Sequence, residues 1–172
     1  FEGDNCPASA GSSTRDRFGC PDTDGDGSSD ADSGWTIANG ADLDPNDSTQ
    51  WVDTDGDSFG DNPTGTNGDA CPLVIGNSTL DRYGCDDSDG DGYSDPDSGW
   101  TVADGADAYA SDGTRWGDAD SDGYDDTIDD DCPTIAGTST QDRIGCPDQD
   151  NDGYSDPDSS WAVTNGADAF MA

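Results

Sequence analysis

Between Asp87 and Asp97 the chain reads Asp-Ser-Asp-Gly-Asp-Gly-Tyr-Ser-Asp-Pro-Asp. Asp87, Asp89, Asp91, Gly92 and Asp95 fall at positions 1, 3, 5, 6 and 9 of a loop able to wrap a hard cation. Alternate carboxylates along a tight turn point inward, Gly92 permits the sharp reversal, and the carbonyl of Tyr93 at position 7 adds another oxygen. Four carboxylates and a carbonyl nearly complete the flexible shell of six to eight oxygens that calcium takes; the strict octahedron of magnesium is a poorer match.

The pattern recurs four more times. The first loop uses Asp22, Asp24, Asp26, Gly27 and Asp30, with the Ser28 carbonyl at position 7. The second uses Asp53, Asp55, Asp57 and Asp61 with the Phe59 carbonyl, but Ser58 stands where glycine is expected, which predicts a strained or weaker site. Asp118, Asp120, Asp122, Gly123 and Asp126 form the fourth with Tyr124, and Asp148, Asp150, Asp152, Gly153 and Asp156 the fifth with Tyr154. Further candidate ligands follow the loops. Asp32, Asp97 and Asp158 come two residues after position 9. Asp42, Asp107 and Asp168 follow the first ligands Asp22, Asp87 and Asp148 at one and the same interval. That fixed interval suggests that these three return to complete a site. Asp47, Asp112 and Asp129 are counted with them.

Composition sets the frame for these loops. The chain has 172 residues, a formal net charge of -36, no histidine, no lysine and a single glutamate, Glu2. Aspartate without glutamate favours ligands on turns over a merely solvated acidic surface, because Asp is short and turn-forming whereas Glu favours helices. Hydrophobic residues of every kind make up only 28%, and Leu, Ile, Val and Phe are scarce among them, which at this charge lies in the range of disordered chains. Ordering each backbone residue costs roughly 1 to 2 kcal/mol. No apolar core available here offsets that, so bound cations and disulfides must hold the chain.

Internal repetition gives the architecture. Cys6-Pro7 recurs as Cys71-Pro72 and Cys132-Pro133, and each first cysteine is followed at a constant distance by a second, Cys20, Cys85 or Cys146. Before each second cysteine stands Asp16-Arg17-Phe18-Gly19, Asp81-Arg82-Tyr83-Gly84 or Asp142-Arg143-Ile144-Gly145. An acidic loop begins two residues later, followed by Trp35, Trp100 or Trp161. A second half-unit with Trp51 or Trp116 and another loop completes the first two copies. The repeat units are 1–70, 71–131 and a partial 132–172, which reads as two and a half units of a longer array, a processed product or fragment. Gly, Pro, Asp, Ser and Asn punctuate almost every window, so the fold expected is irregular and loop-rich. Short patches such as Pro72 to Ile75 or Trp100 to Ala103 are the candidates for brief strands or bridges.

Two rival loop families fail on their own requirements. An EF-hand or dockerin needs a glutamate at position 12 and flanking helices, but Ser33, Ser98 and Ser159 stand there. A calcium-binding β-roll needs Gly-Gly-x-Gly-x-Asp nonapeptides, and none is present. The combination of Asp-x-Asp-x-Asp-Gly-x-x-Asp with Cys-Pro, most evident in Asp118 through Pro133, resembles thrombospondin type 3 repeats over essentially the whole chain. The resemblance implies an extracellular fold winding round a line of calcium ions, with little regular structure, often as a stalk. The long units with Trp and the cysteine spacing depart from that family.

Six cysteines without histidine point to disulfides and an oxidising compartment rather than zinc. Pairing within units, Cys6 with Cys20, Cys71 with Cys85 and Cys132 with Cys146, closes loops of about 15 residues, worth roughly 3 kcal/mol each in the chain-entropy account. The alternative joins units, Cys20 with Cys71 and Cys85 with Cys132. Arg17, Arg82 and Arg143 recur beside Asp and read as ion pairs locking disulfide loop to acidic segment. The tryptophans read as small satellite cores between metal turns. Asn46-Asp47-Ser48 and Asn77-Ser78-Thr79 fit the N-glycosylation acceptor.

These features predict a non-catalytic extracellular or cell-surface protein with multiple calcium ions, a rigid stalk, spacer or filament segment. Further copies of itself or surface glycans are the candidate partners. The alternative is a calcium-dependent adhesin or carbohydrate-binding module with exposed Trp51 or Trp116. The acidity argues against nucleic acid and anionic membranes, and no apolar run is long enough for membrane insertion.

Overall fold

The computed structural model describes residues 3–170. Among them there is no α-helix and no strand. The regular elements are three short 3₁₀ turns, Ile37–Asn39, Val102–Asp104 and Val163–Asn165, and a single antiparallel bridge between Asp32 and Trp35. The three turns occupy the same place in each repeat and end at Gly40, Gly105 and Gly166, which follow with positive φ. Pro72 to Ile75 forms no strand, and Leu73, Val74 and Ile75 are exposed. Backbone polar groups are instead satisfied in irregular turns, by carbonyls and by aspartate side chains, which leaves no ladder for a strand to join. The chain divides into two compact units, Phe1–Asp87 and Ser88–Ala172, so the division falls inside the second sequence repeat.

Disulfides join Cys6 to Cys20, Cys71 to Cys85 and Cys132 to Cys146, the pairing within units. Each closed loop is organised round a fully buried serine. The Ser13 hydroxyl donates to the Arg17 carbonyl and accepts the Cys20 amide at 3.0 Å; Ser78 and Ser139 repeat this with Arg82 and Cys85 and with Arg143 and Cys146. The segment before the serine then passes so close to the second cysteine that only glycine fits. A methyl group at Gly11, Gly76 or Gly137 would overlap the carbonyl of Cys20, Cys85 or Cys146.

The interior follows from the composition. Its buried apolar residues are the half-cystines Cys20, Cys85 and Cys146 with Ala41, Ala106 and Ala167, while Asp42, Asp69, Asp107, Ser29, Ser94 and Ser155 are equally buried. Tryptophans bridge between segments rather than fill a core. The Trp35 indole N–H donates to Asp16 at 3.1 Å and that of Trp161 to Asp142 at 3.3 Å, and these same carboxylates take the hydroxyls of Ser29 and Ser155. Arg17 pairs with Asp32 and Arg143 with Asp158, both at 2.7 Å, tying disulfide loop to acidic segment. Each guanidinium also lies over a tryptophan, Trp35 or Trp161.

Candidate metal centre

Loops one, two, four and five are closed by their own backbone. The amide at position 9 donates to the carbonyl preceding position 1: Asp30 to Pro21 at 2.9 Å, Asp61 to Val52 at 2.8 Å, Asp126 to Gly117 at 3.0 Å and Asp156 to Pro147 at 2.7 Å. Within the turn the carboxylates accept successive amides. Gly25 donates to Asp22 at 2.8 Å, Asp26 to Asp24 at 3.1 Å and Ser28 to Asp26 at 2.6 Å. Each such bond occupies one carboxylate oxygen, and at Asp24 the other is buried without a partner. Position 6 is left-handed throughout, with φ of 102° at Gly27, 99° at Gly92, 96° at Gly123 and 99° at Gly153, and Ser58 is forced to 83°.

In loops one, two, four and five the first three aspartates bring oxygens within 4.8 Å of one another, as Asp22, Asp24 and Asp26, Asp53, Asp55 and Asp57, Asp118, Asp120 and Asp122, and Asp148, Asp150 and Asp152. Such triplets could hold metal ions. The third loop opens at Asp87, the buried last residue of the first unit, and continues with Asp89, Asp91 and Asp95 in the second. Position 9 is the most engaged: Asp30 and Asp61 each accept both the amide and the hydroxyl of the position 2 threonine, and Asp95 does so from Ser88. The carbonyls of Ser28, Phe59, Tyr93, Tyr124 and Tyr154 accept no hydrogen bond among the described residues.

A fifth carboxylate comes to every loop by one shared contact, the donation of its amide to the carbonyl at position 8. Asp42 donates to Ser29, Asp107 to Ser94 and Asp168 to Ser155, each at 2.9 Å. Asp69 donates to Gly60 at 2.8 Å and Asp130 to Asp125 at 3.0 Å in the same way. Sequence reasoning missed Asp69 and Asp130, which follow their first ligands Asp53 and Asp118 more closely than Asp42 follows Asp22. The signal available was their position two residues before Cys71 and Cys132. Asp129 instead pairs with Arg115 and accepts the Asp125 amide at 2.7 Å.

Oxygens aimed into these centres lack partners. Asp24 and Asp42, Asp55 and Asp69, Asp89 and Asp107, Asp120 and Asp130, and Asp156 and Asp168 each hold a buried oxygen with no hydrogen bond. Burial, reinforced by Asp26 and Asp24, pushes Asp42 up to about 7. Burial likewise pushes Asp69 and Asp107 up to about 6, with Asp57 and Asp55 adding repulsion at the first and Asp91 and Asp89 at the second. A cation at the focus of each loop would reverse this repulsion.

The remaining candidate ligands lie elsewhere. Asp32 and Asp158 serve the arginine pairs described above and cap the following turns, and Asp97 accepts the amides of Gly99 and Trp100. Asp47 holds the amide and hydroxyl of Thr49, and Asp112 the hydroxyl of Thr114. Asn46 and Asn77 are exposed. Trp51 lies half-buried beneath Arg15 at 4.1 Å, and Trp116 stacks on Tyr93 at 5.3 Å, so both rings have a protein partner.

The chain matches no protein-family model and no curated protein. No helix among the described residues is long and apolar enough to cross a membrane.

Proposed function

We propose that this protein is a non-catalytic, calcium-organised structural repeat of the thrombospondin type 3 kind, working outside the cell as a rigid stalk, spacer or filament segment. The observation that supports this most is the set of buried, unpartnered carboxylate oxygens converging at the loops. A buried polar oxygen without a partner costs about 1 to 3 kcal/mol, more when charged, and a divalent ion converts that cost to a gain.

Calcium suits these centres better than its rivals. The donors are all oxygens, which disfavours zinc and other softer ions, and the loop supplies more of them than magnesium retains from protein. At millimolar calcium and a dissociation constant near 0.1 mM, each ion stabilises the fold by roughly 1.5 kcal/mol. Three disulfides suit the same oxidising, calcium-rich surroundings. The covered rings of Trp51 and Trp116 favour this reading over a sugar-binding module, which needs free aromatic faces.

The test is an ion count by native mass spectrometry combined with small-angle scattering. Five ions or more, and an extended particle that loosens on chelation, are expected. A chain that takes up no calcium, or a compact particle indifferent to chelator, refutes the proposal.

A further inference from the structure

Within the first unit a hollow of about 380 Å³ opens between the segment that follows Asp42 and the second acidic loop, a size that suits a small ligand or a docked side chain. Ile37, Leu43 and Phe59 give it an apolar wall, and Asp44 and Asp47 bring carboxylates beside them. Ser58 lines it too. That residue holds, at φ 83°, the left-handed turn that glycine takes at position 6 of the other four loops, so a side chain stands on this wall against the preference of its backbone.

The second unit repeats the frame with a ring and a cation built into it. Asp44 and Tyr109 stand at the same place: each donates its amide to a closing carboxylate, Asp42 at 3.2 Å or Asp107 at 2.7 Å. Their carbonyls in turn accept the amides of Asp47 at 2.9 Å and Asp112 at 2.7 Å. Gln50 and Arg115 also correspond, donating their amides to the carbonyls of Asp47 and Asp112, both at 2.9 Å. The Tyr109 ring lies beneath the Arg115 guanidinium at 5.0 Å, with its hydroxyl buried near the charges of Asp118 and Asp125. Gly60, at the position of Asp125, lines the hollow of the first unit. There Asp44 replaces the ring, and Gln50 replaces the guanidinium and donates its side-chain amide to the Asn62 and Thr66 carbonyls, both at 3.0 Å.

We propose that this hollow is a docking site for a partner polypeptide presenting an aromatic side chain flanked by arginine. The second unit specifies the occupant, because it builds the same ring and cation from its own Tyr109 and Arg115. Asp44 and Asp47 supply the carboxylates that the incoming guanidinium meets, and a chain of charge -36 attracts a basic partner. A second copy of this chain does not fit. It has no lysine, and its five arginines are already engaged: Arg15 by Asp26, Arg17 by Asp32, Arg82 by the Cys71 sulfur, Arg115 by Asp129 and Arg143 by Asp158.

The test adds the peptide acetyl-Arg-Tyr-Arg-amide to the full chain in calcium and follows the amides of Gly60 and Asn67, which line the hollow, by NMR. Both are expected to shift saturably. Affinity is expected to fall at least tenfold when alanine replaces the tyrosine of the peptide or glutamate replaces its arginines. Asp44→Tyr, which supplies from within the ring that the second unit already has, is expected to abolish the shifts. The double variant Asp44→Asn with Asp47→Asn keeps oxygens for the local hydrogen bonds but removes both charges, and is expected to weaken binding at least tenfold. The remaining amide spectrum, unchanged from the parent, verifies the fold of each variant, and the double variant decides if Asp44→Tyr does not fold. No shift with millimolar peptide, or binding indifferent to the ring, to the charge of the peptide or to these substitutions, overturns the docking site and leaves the calcium reading standing.

Discussion

Asp69 accepts the Cys71 amide at 2.6 Å with one carboxylate oxygen while the other is buried without a partner at the mouth of the loop that begins at Asp53. One side chain thus belongs both to the disulfide loop that follows it and to the acidic loop that precedes it. Asp130 does the same for Cys132 and the loop from Asp118.

Replacing these residues separates ligands from neighbours. Asp69→Asn and Asp130→Asn each keep an oxygen for the cysteine amide but remove a charge from the centre, and are expected to weaken one calcium ion at least tenfold. Asp129→Asn breaks only the Arg115 pair, a partly exposed ion pair worth about 1 kcal/mol or less, and leaves the ion count intact. Calcium titration followed by calorimetry distinguishes the three variants.

Ser58 carries a left-handed φ of 83° in an exposed turn, where an L side chain costs roughly 1 to 2 kcal/mol and glycine nothing. Its contribution to the loop is the backbone amide, which donates to Asp53 at 3.0 Å and survives substitution. Ser58→Gly is therefore expected to stabilise the calcium-loaded chain by about 1 kcal/mol and to tighten the second site. Thermal melting at fixed calcium measures the first and titration the second.

The closing carboxylates set the pH response. Asp42 at about 7 and Asp69 and Asp107 at about 6 lie above an unfolded value near ~4, so the cation-free fold holds their protons more tightly than the unfolded chain does. The contribution of these three groups to its stability is then fully present below about pH 4 and is lost as the pH rises to about 7. Calcium competes with those protons, so its affinity is expected to rise over the same interval. Melting of the chelated chain and calcium titrations at pH 5 and pH 7.5 must show these opposite trends.

Reduction of the disulfides is expected to act on the ions as well as on the chain. Each bridge contributes roughly 3 kcal/mol by restricting the unfolded state. In addition, Gly76 and Gly137 hold Asp57 and Asp122 from within the disulfide loops. Loss of the bridges is therefore expected to weaken calcium at loops two and four, and also at loop one, whose Asp26 is held at 3.4 Å by Arg15 from within the Cys6–Cys20 loop. Paramagnetic lanthanide substitution before and after reduction resolves the individual sites.

The sequence by itself determined the loops, because alternation of aspartate with a glycine at position 6 is a local geometry that needs no distant partner. It also carried enough to expect disulfides inside each unit and arginines tying disulfide loop to acidic segment, but it counted Asp32, the partner Arg17 takes, among the ligands. The fixed interval already pointed to Asp42, Asp107 and Asp168, and tertiary structure decided that Asp69 and Asp130 close loops two and four. The intervals from Asp22 to Asp42, from Asp53 to Asp69 and from Asp118 to Asp130 look unrelated along the chain, yet every closing amide meets the position 8 carbonyl, and the backbone path between them is free to lengthen or shorten. In the run Asp129-Asp130-Asp131 composition cannot separate a ligand from an arginine partner; only the direction in which the turn after Asp125 aims each side chain does so.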